Sequence, residues 1–228
     1  RSRYALSNIL VANLRQNMHF TYLQDDWRVN DNLTLNLGLR YDFVTPQMDA
    51  ENRLANFDPV AGRLFYATDG SIEDRALVQP DRNNFGPRLG IVYKANATTV
   101  VRGGYGIYYN LVERMGSEDQ LALNPPGLRN ISITAAAGST TPALILRNGF
   151  PPNYLDVANI NYRTLLLRTA QRDGENSMFH QVALGLERQL SSSFVASADA
   201  IGSIGRNITL LRNLNQPANG NGARPYPT

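Results

Sequence analysis

The segment Leu33–Phe43, LTLNLGLRYDF, alternates strictly between two kinds of residue. Its odd positions are all leucine or aromatic, and its even positions are polar or glycine. Successive side chains of a β-strand point to opposite faces, so this period of two predicts a strand with one apolar and one polar face. A helix would scatter the leucines around its circumference. The length of the segment also matches the ~9–11 residues with which a tilted strand crosses the core of a bilayer.

The same alternation returns later in the chain, and a weaker form precedes it. The four later segments are Phe85–Lys94, Val100–Asn110, Met178–Leu190 and Phe194–Ile201. The earlier segment, Met18–Val29, is irregular, because Phe20 and Tyr22 have the opposite parity to Leu23 and Trp27. Either a β-bulge or aromatic side chains on the polar face would explain this irregularity.

Short turns join these six segments into three predicted hairpins, at about 18–43, 85–110 and 178–203. The turns are rich in Asn, Ala, Thr and Ser, and they are Asn30–Asn32, Ala95–Thr98 and Ser191–Ser193. Residues that face each other across an antiparallel pair share a face, which tests the assignment. The apolar parities agree across all three turns, for the predicted pairs Trp27 with Leu33, Tyr93 with Val101, and Leu190 with Phe194.

Two long connections, at about 44–84 and 111–177, contrast with the short turns. Long structureless loops are uncommon in compact soluble domains, whereas outer-membrane barrels combine short periplasmic turns with long extracellular loops. The sequence therefore predicts an all-β fold, an antiparallel meander of about six long strands that forms part of a large β-barrel in the bacterial outer membrane. We also expect a short helix near Ile9 and Leu14, and a short hairpin within Ile133–Arg147.

The apolar side of each predicted strand defines the residues that we expect to face lipid. These are Leu33, Leu35, Leu37, Leu39, Leu89, Ile91, Val101, Ile107, Val182, Leu184 and Leu186. Aromatic residues flank this aliphatic band, with Trp27 and Tyr93 near the short turns and Tyr41, Phe43, Tyr105 and Tyr109 near the long loops. Two such levels are typical of the aromatic girdles at the two surfaces of a membrane.

The composition excludes several classes of function. The chain has no Cys and only two His, which removes thiolate chemistry and leaves little material for a metal site. The net charge of +3 gives no support to nucleic-acid binding, and no apolar stretch is long enough for a transmembrane helix. Asp25 and Asp26 are adjacent on a strand, so they point to opposite faces and make a poor catalytic pair. We predict no enzyme activity, no cofactor and no metal.

Polar side chains on the wet face of the strands are the remaining candidates for ligand contact. They are Arg40, Asp42, Arg102, Tyr108 and Asn110, of which Asp42, Tyr108 and Asn110 lie nearest the predicted outer rim. In a barrel, such side chains either contact a ligand, contact a domain inserted in the lumen, or form ion pairs across strands.

Three hairpin motifs resemble those of TonB-dependent outer-membrane receptors, specifically the Oar-like group. They are YLQDDWRVNDNLTLNLGLRYD at Tyr22–Asp42, FGPRLGIVYK with TTVVRGGYGIYYN within Phe85–Asn110, and HQVALGLERQL with FVASADAIGSIGRNITLLRNLNQP within His180–Pro217. The resemblance implies a 22-stranded barrel with a plug domain inside it, which takes up a bulky extracellular ligand. Its partners would be outer-membrane lipid, that ligand, and the TonB complex acting through the plug.

The resemblance also divides the chain. We expect residues 1–217 to be part of the receptor barrel and residues 218–228 to be a loop at a truncated end, within a longer protein. Two alternatives stay open, a passive porin-type barrel and a soluble secreted β-sandwich that binds a ligand. The sandwich predicts that Leu33, Leu35, Leu37 and Leu39 pack on a second sheet, whereas the barrel predicts no protein partner on that side.

Overall fold

A computed structural model describes residues 3–9, 12–111, 119–161, 165–217 and 222–226 of the chain. Strands dominate it, together with one short α-helix. The elements in chain order are β1 Arg3–Ser7, β2 Leu14–Arg15, β3 Met18–Arg28, β4 Leu33–Val44, β5 Met48–Asp49, β6 Ala55–Asp58, β7 Arg63–Tyr66, α1 Ile72–Ala76, β8 Phe85–Asn96, β9 Thr99–Asn110, β10 Asn130–Thr134, β11 Ser177–Ser191 and β12 Phe194–Arg206. Three 3₁₀ turns lie at Asp119–Leu123, Leu146–Asn148 and Val157–Asn159. None of the described helices is long and apolar enough to cross a membrane.

The six long strands form one antiparallel sheet. Its strand order is β12-β11-β9-β8-β4-β3, so strands that follow one another along the chain are neighbours in space. Tight turns join β3 to β4, β8 to β9 and β11 to β12, while the segments 45–84 and 111–176 make the other two connections. The predicted meander is confirmed.

Strand pairing places all residues of one parity on one face of the sheet. Leu37 pairs with Leu89, Leu89 with Tyr105, and Tyr105 with Val182, so one apolar row crosses four strands. Strand β3 pairs with β4 in a single unbroken register, in which Phe20 faces Asp42. Of the two explanations for the irregular β3, aromatic side chains on the polar face are therefore the correct one.

Two of the three predicted pairs across the turns differ in register. Tyr93 does pair with Val101, as predicted. Trp27 instead pairs with Leu35. Trp27 therefore lies on the predicted face, but its partner is two residues further along β4 than predicted. The pair of Leu190 with Phe194 is wrong, because a register shift between Gln189 and Ser191 places Phe194 opposite Ser191. A two-residue turn closes this hairpin, and the shift absorbs the extra residue.

Successive turns are staggered along the strand direction. The row that starts at Leu33, the first residue of β4, crosses β9 at Val101 and β12 at Ala198. Val101 lies two residues after the start of β9, and Ala198 four residues after the start of β12. The stagger is thus about one residue per strand. With ~3.3 Å per residue and ~4.8 Å between strands, this slope corresponds to a strand tilt of about 35°, as in closed barrels.

The apolar face of the sheet has no protein cover. Leu37 is 39% exposed and Leu184 is 59% exposed, although both lie near the middle of their strands. Among the described residues, the other three sheets are two-stranded ribbons, and none of their strands makes extensive contact with the six long strands. A soluble sandwich would have buried these leucines.

The long connections contain the buried core. Leu54 and Leu77 from the first connection pack with Leu121 and Ala122 from the second, and all four are nearly inaccessible. The loops are therefore organised and packed against each other.

Two minor predictions were wrong. The opening segment forms strands β1 and β2 where it is described, rather than a helix, while residues 10–11 lie outside the described residues. The expected hairpin within Ile133–Arg147 is absent, because β10 pairs with β1 instead. Both errors have the same cause, which is pairing between segments that are far apart in the sequence.

Candidate functional site

The polar face of the sheet is formed by the even-numbered side chains of β4, β8 and β9. In the central rows, Gly38 pairs with Arg88 and Arg88 with Gly106, while Asn36 pairs with Gly90 and Gly90 with Gly104. In each row, a large polar side chain thus lies next to a glycine on the neighbouring strand. This face is a thin wall on which long side chains lie flat.

Tyr108 and Arg88 form a stacked pair on this wall. The ring of Tyr108 lies over Gly106, where a Cβ atom would come within 2.8 Å of ring atom Cε2. The guanidinium carbon of Arg88 is 4.8 Å from the centroid of the same ring, a cation–π contact. Tyr108 was predicted as a ligand contact, but its contacts with Arg88 and Gly106 were not predicted. A glycine two residues before an aromatic residue on one strand was the available signal.

At the rim, Arg40 and Asp42 lie together. Arg40 Nε donates to Asp42 Oδ1 at 2.7 Å, and its guanidinium carbon lies 5.3 Å from the centroid of Phe20. Asp42 is only 7% exposed. Asn110 is on the same face, opposite Ser177 of β11. Arg40 and Asp42 therefore neutralise each other, and any ligand would meet a nearly uncharged pair.

Arg102 lies apart from the other candidates. It forms an ion pair with Glu187 at 3.1 Å, and it pairs with Val92 and Gly185 near the short-turn end of the strands. The five predicted ligand-contact residues therefore fall into a rim group and an isolated cross-strand ion pair.

A buried polar network above the rim was missed by the sequence analysis. Asp81, Asn84 and Asn176 are all buried. Asp81 Oδ2 accepts a hydrogen bond from the backbone N–H of Asn176 at 2.8 Å, and Asn176 Nδ2 donates to Asn84 Oδ1 at 2.9 Å. The carbonyl of Asn84 in turn accepts from the N–H of Asp42. The network fastens both long connections to the top of the sheet, through contacts that no local pattern encodes.

A second buried acid organises the first long connection. Asp49 is 1% exposed and accepts two hydrogen bonds from the side chain of Arg53, at 3.0 and 3.1 Å. Burial disfavours its charge, but the bonds from Arg53 and from the backbone N–H groups of Asn13, Glu51 and Arg53 lower the pKa of Asp49 to about 2. Asp49 therefore holds several parts of this loop together through the hydrogen bonds that it accepts.

Three other acidic loop residues each have a different partner. Asp74 and Ser71 form a capping box at the start of α1, and Asp69 accepts a hydrogen bond from Asn52 at 2.7 Å. Glu73 forms an ion pair with Arg172 at 3.1 Å. In the described part of the chain, His, Cys, Asp and Glu side chains form no group of three or more that could hold a metal ion.

The predicted lipid-facing residues share one face with the predicted girdle. Tyr93 and Trp27 lie near the short turns, whereas Tyr41, Phe43 and Tyr109 lie at the long-loop end of their strands. Tyr105 was placed wrongly in the loop-end level, since it lies in mid-strand between Leu89 and Val182. Its hydroxyl is satisfied there by Nδ1 of His180 at 2.7 Å, so this tyrosine does not need an aqueous interface.

Comparison with known proteins identified a family that matches the chain. The model of a family described as "Outer membrane beta barrel domain" matches residues 2–228 of the chain. No curated protein and no solved structure matches it.

Proposed function

The chain belongs to the outer membrane beta-barrel domain family, and from this premise we propose that it forms part of the wall and extracellular loops of a TonB-dependent receptor that takes up a bulky ligand. Membership of the family places the protein in the bacterial outer membrane. The open six-stranded sheet, with its exposed apolar face, is a segment of the barrel wall.

The packed state of the long connections carries the receptor proposal. Segments 45–84 and 111–176 share the buried cluster of Leu54, Leu77, Leu121 and Ala122. Asn124 Nδ2 also donates to the carbonyl of Ala55 at 2.7 Å, across the two segments. An ordered loop body above a barrel offers a fixed surface for recognition, because its side chains are positioned before a ligand arrives.

The polar wall supports the same proposal. Most of its large side chains are already paired, as are Arg40 with Asp42 and Arg102 with Glu187, and glycines keep it flat. A flat wall of low net charge is suited to contact with an inserted protein domain. A pore that selects ions of one sign would instead need a wall with a strong net charge. The resemblance of the Tyr22–Asp42 hairpin to Oar-like receptors adds TonB as the energy source.

Energy dependence separates this proposal from a passive porin. The conductance of the full-length protein would be measured in planar bilayers. Cells that produce the protein, with and without TonB, would be tested for surface binding and for uptake of components of the medium. A TonB-dependent receptor is expected to show no open-channel conductance and to lose uptake, but not surface binding, when TonB is deleted. Steady channel conductance together with uptake that is independent of TonB would identify a porin instead.

A further inference from the structure

Arg82 lies beside outward-facing aromatic side chains at the long-loop end of β4. Its guanidinium carbon is 5.0 Å from the centroid of Phe43, whose other neighbour is the ring of His19, stacked at 6.1 Å and 17°. Tyr41 packs against Phe85 at 4.7 Å in the adjacent row. We call Arg82, His19, Tyr41, Phe43 and Phe85 the Arg82 cluster. Tyr41 and Phe43 have the parity of the leucines of β4, so the cluster borders the apolar face at its extracellular end.

The position of Arg82 is fixed, but its charge is not neutralised. The hydroxyl of Tyr41 donates to the carbonyl oxygen of Arg82 at 3.1 Å and so anchors its backbone. Within the described residues, no carboxylate forms an ion pair with Arg82, in contrast to Arg40 and Arg102. Its acidic neighbour Asp81 is buried and accepts backbone N–H groups on both oxygens. An exposed cation is thus held over an aromatic ring at the edge of a lipid-facing surface.

We propose that the Arg82 cluster binds the phosphate of an outer-leaflet lipid headgroup. A guanidinium group can stack on an aromatic ring and still present two parallel N–H groups to a phosphate. Aromatic rings prefer the boundary between acyl chains and headgroups, which is the depth expected for Tyr41, Phe43 and Phe85. The charge of an anionic phosphate would complement Arg82, with which no carboxylate in the described part of the chain forms an ion pair. The site lies on the outside of the wall, so it goes beyond ligand uptake and does not depend on it.

Two lipids that differ only in their phosphates test the proposal. Native mass spectrometry of the full-length protein in detergent would measure binding of bisphosphorylated lipid A and of the same lipid with both phosphates removed. The variant Arg82→Gln keeps a long polar side chain without the charge. The control Arg147→Gln removes another exposed loop arginine, in the 3₁₀ turn Leu146–Asn148. Circular dichroism selects folded preparations.

We expect Arg82→Gln to weaken binding of the bisphosphorylated lipid about fivefold, the contribution of one cation near an anionic membrane surface. Binding of the dephosphorylated lipid should not change, and Arg147→Gln should behave as the wild type with both lipids. Equal affinities of Arg82→Gln and wild type for the phosphorylated lipid would overturn the proposal. An equal loss with both lipids would also overturn it, because it would assign the effect to the aromatic rings alone.

A charge-retaining variant gives an independent readout. Arg82→Lys preserves the positive charge but loses the planar fork that stacks on Phe43 and binds two phosphate oxygens. We expect an affinity for the bisphosphorylated lipid between those of the wild type and Arg82→Gln. Wild-type affinity in Arg82→Lys would contradict the bidentate geometry, and this variant stays informative where Arg82→Gln fails to fold.

Discussion

Gly106 allows an aromatic side chain to lie flat on the polar wall. A Cβ atom at this position would come within 2.8 Å of the ring of Tyr108, whereas a Cβ at Gly104, in the adjacent row on the same face, would meet its nearest atom at 3.9 Å. A side chain would therefore be obstructed at Gly106 but not at Gly104. Only Gly106 is required by the stack of Arg88 on Tyr108.

Gly106→Ala should displace the ring of Tyr108 and so break its contact with Arg88. Because the atoms in the way are the far end of an exposed side chain, the ring can swing aside, and we expect a loss of only about 0.5–1 kcal/mol in the free energy of unfolding, the size of one exposed cation–π contact. Urea unfolding of the full-length protein in lipid vesicles measures it, and Gly104→Ala is the matched control. Equal losses for the two variants would show that the ring does not rest on Gly106.

The acid at Asp49 gives the first long loop a pH-dependent stability. Its pKa is lowered from 3.8 to about 2 by the bonds it accepts, so the folded loop favours the charged form. The stabilisation is therefore complete above about pH 4 and is lost as the pH falls toward 2. In the unfolded loop, by contrast, Asp49 takes up its proton near its ordinary pKa of 3.8.

Amide hydrogen exchange in the loop around Asp49 tests this sign. After correction for intrinsic exchange rates, we expect protection to fall between pH 4 and 2, by on the order of 1 kcal/mol in opening free energy. Asp49→Asn should start with weaker protection and show no such slope. A loop whose protection is constant over this range in the wild type would contradict the role of the carboxylate.

At the scale of the strand, parity determines what a substitution costs. Leu184 and Ala183 are adjacent in the middle of β11, both are exposed in the sheet, and their side chains lie on opposite faces. The prediction that Leu184 faces lipid follows from its row, in which Ile91 pairs with Gly103 and Gly103 with Leu184. Ala183 lies on the polar wall beside Gly104.

Leu184→Arg should destabilise the barrel by about 2–4 kcal/mol, the cost of a cation on the lipid face near the middle of a bilayer. Ala183→Arg, at the same depth on the other face, should cost much less. Folding equilibria of the full-length protein into vesicles give both values. If the two substitutions cost the same, the apolar face is not in contact with hydrocarbon.

The same periodicity explains what could be predicted from the sequence. Strand pairing preserves parity, so an alternating pattern such as that of Leu33–Phe43 determines both the element and its face. Register is less well encoded. Phe194 was predicted to pair with Leu190 but pairs with Ser191, because the geometry of the turn determines the register. The bond between Tyr105 and His180, the network of Asp81 with Asn176, and the pairing of β1 with β10 join residues far apart in sequence. No local period carries such contacts.

For the molecule as a whole, apolar side chains are covered in two different ways, by polypeptide in the loops and by lipid on the sheet. The loop body follows the rule of soluble proteins, with Leu54 and Leu121 enclosed by polypeptide. The sheet leaves its leucines open on one side, which is stable only where hydrocarbon covers them. Among the described residues, the outer strands β3 and β12 each have a partner on one edge only. Exposed backbone edges are costly in lipid, so further strands must complete the barrel.

The stagger of the turns makes this closure measurable. A shift of about one residue per strand requires each strand to lean by about 35° from the barrel axis, because the rise along a strand and the spacing between strands are fixed. Polarised infrared spectroscopy of the full-length protein in oriented bilayers reports the mean tilt of its strands. We expect a value within about 35–45°. Strands that stand nearly parallel to the membrane normal would require a register without stagger, which the row from Leu33 to Ala198 does not allow.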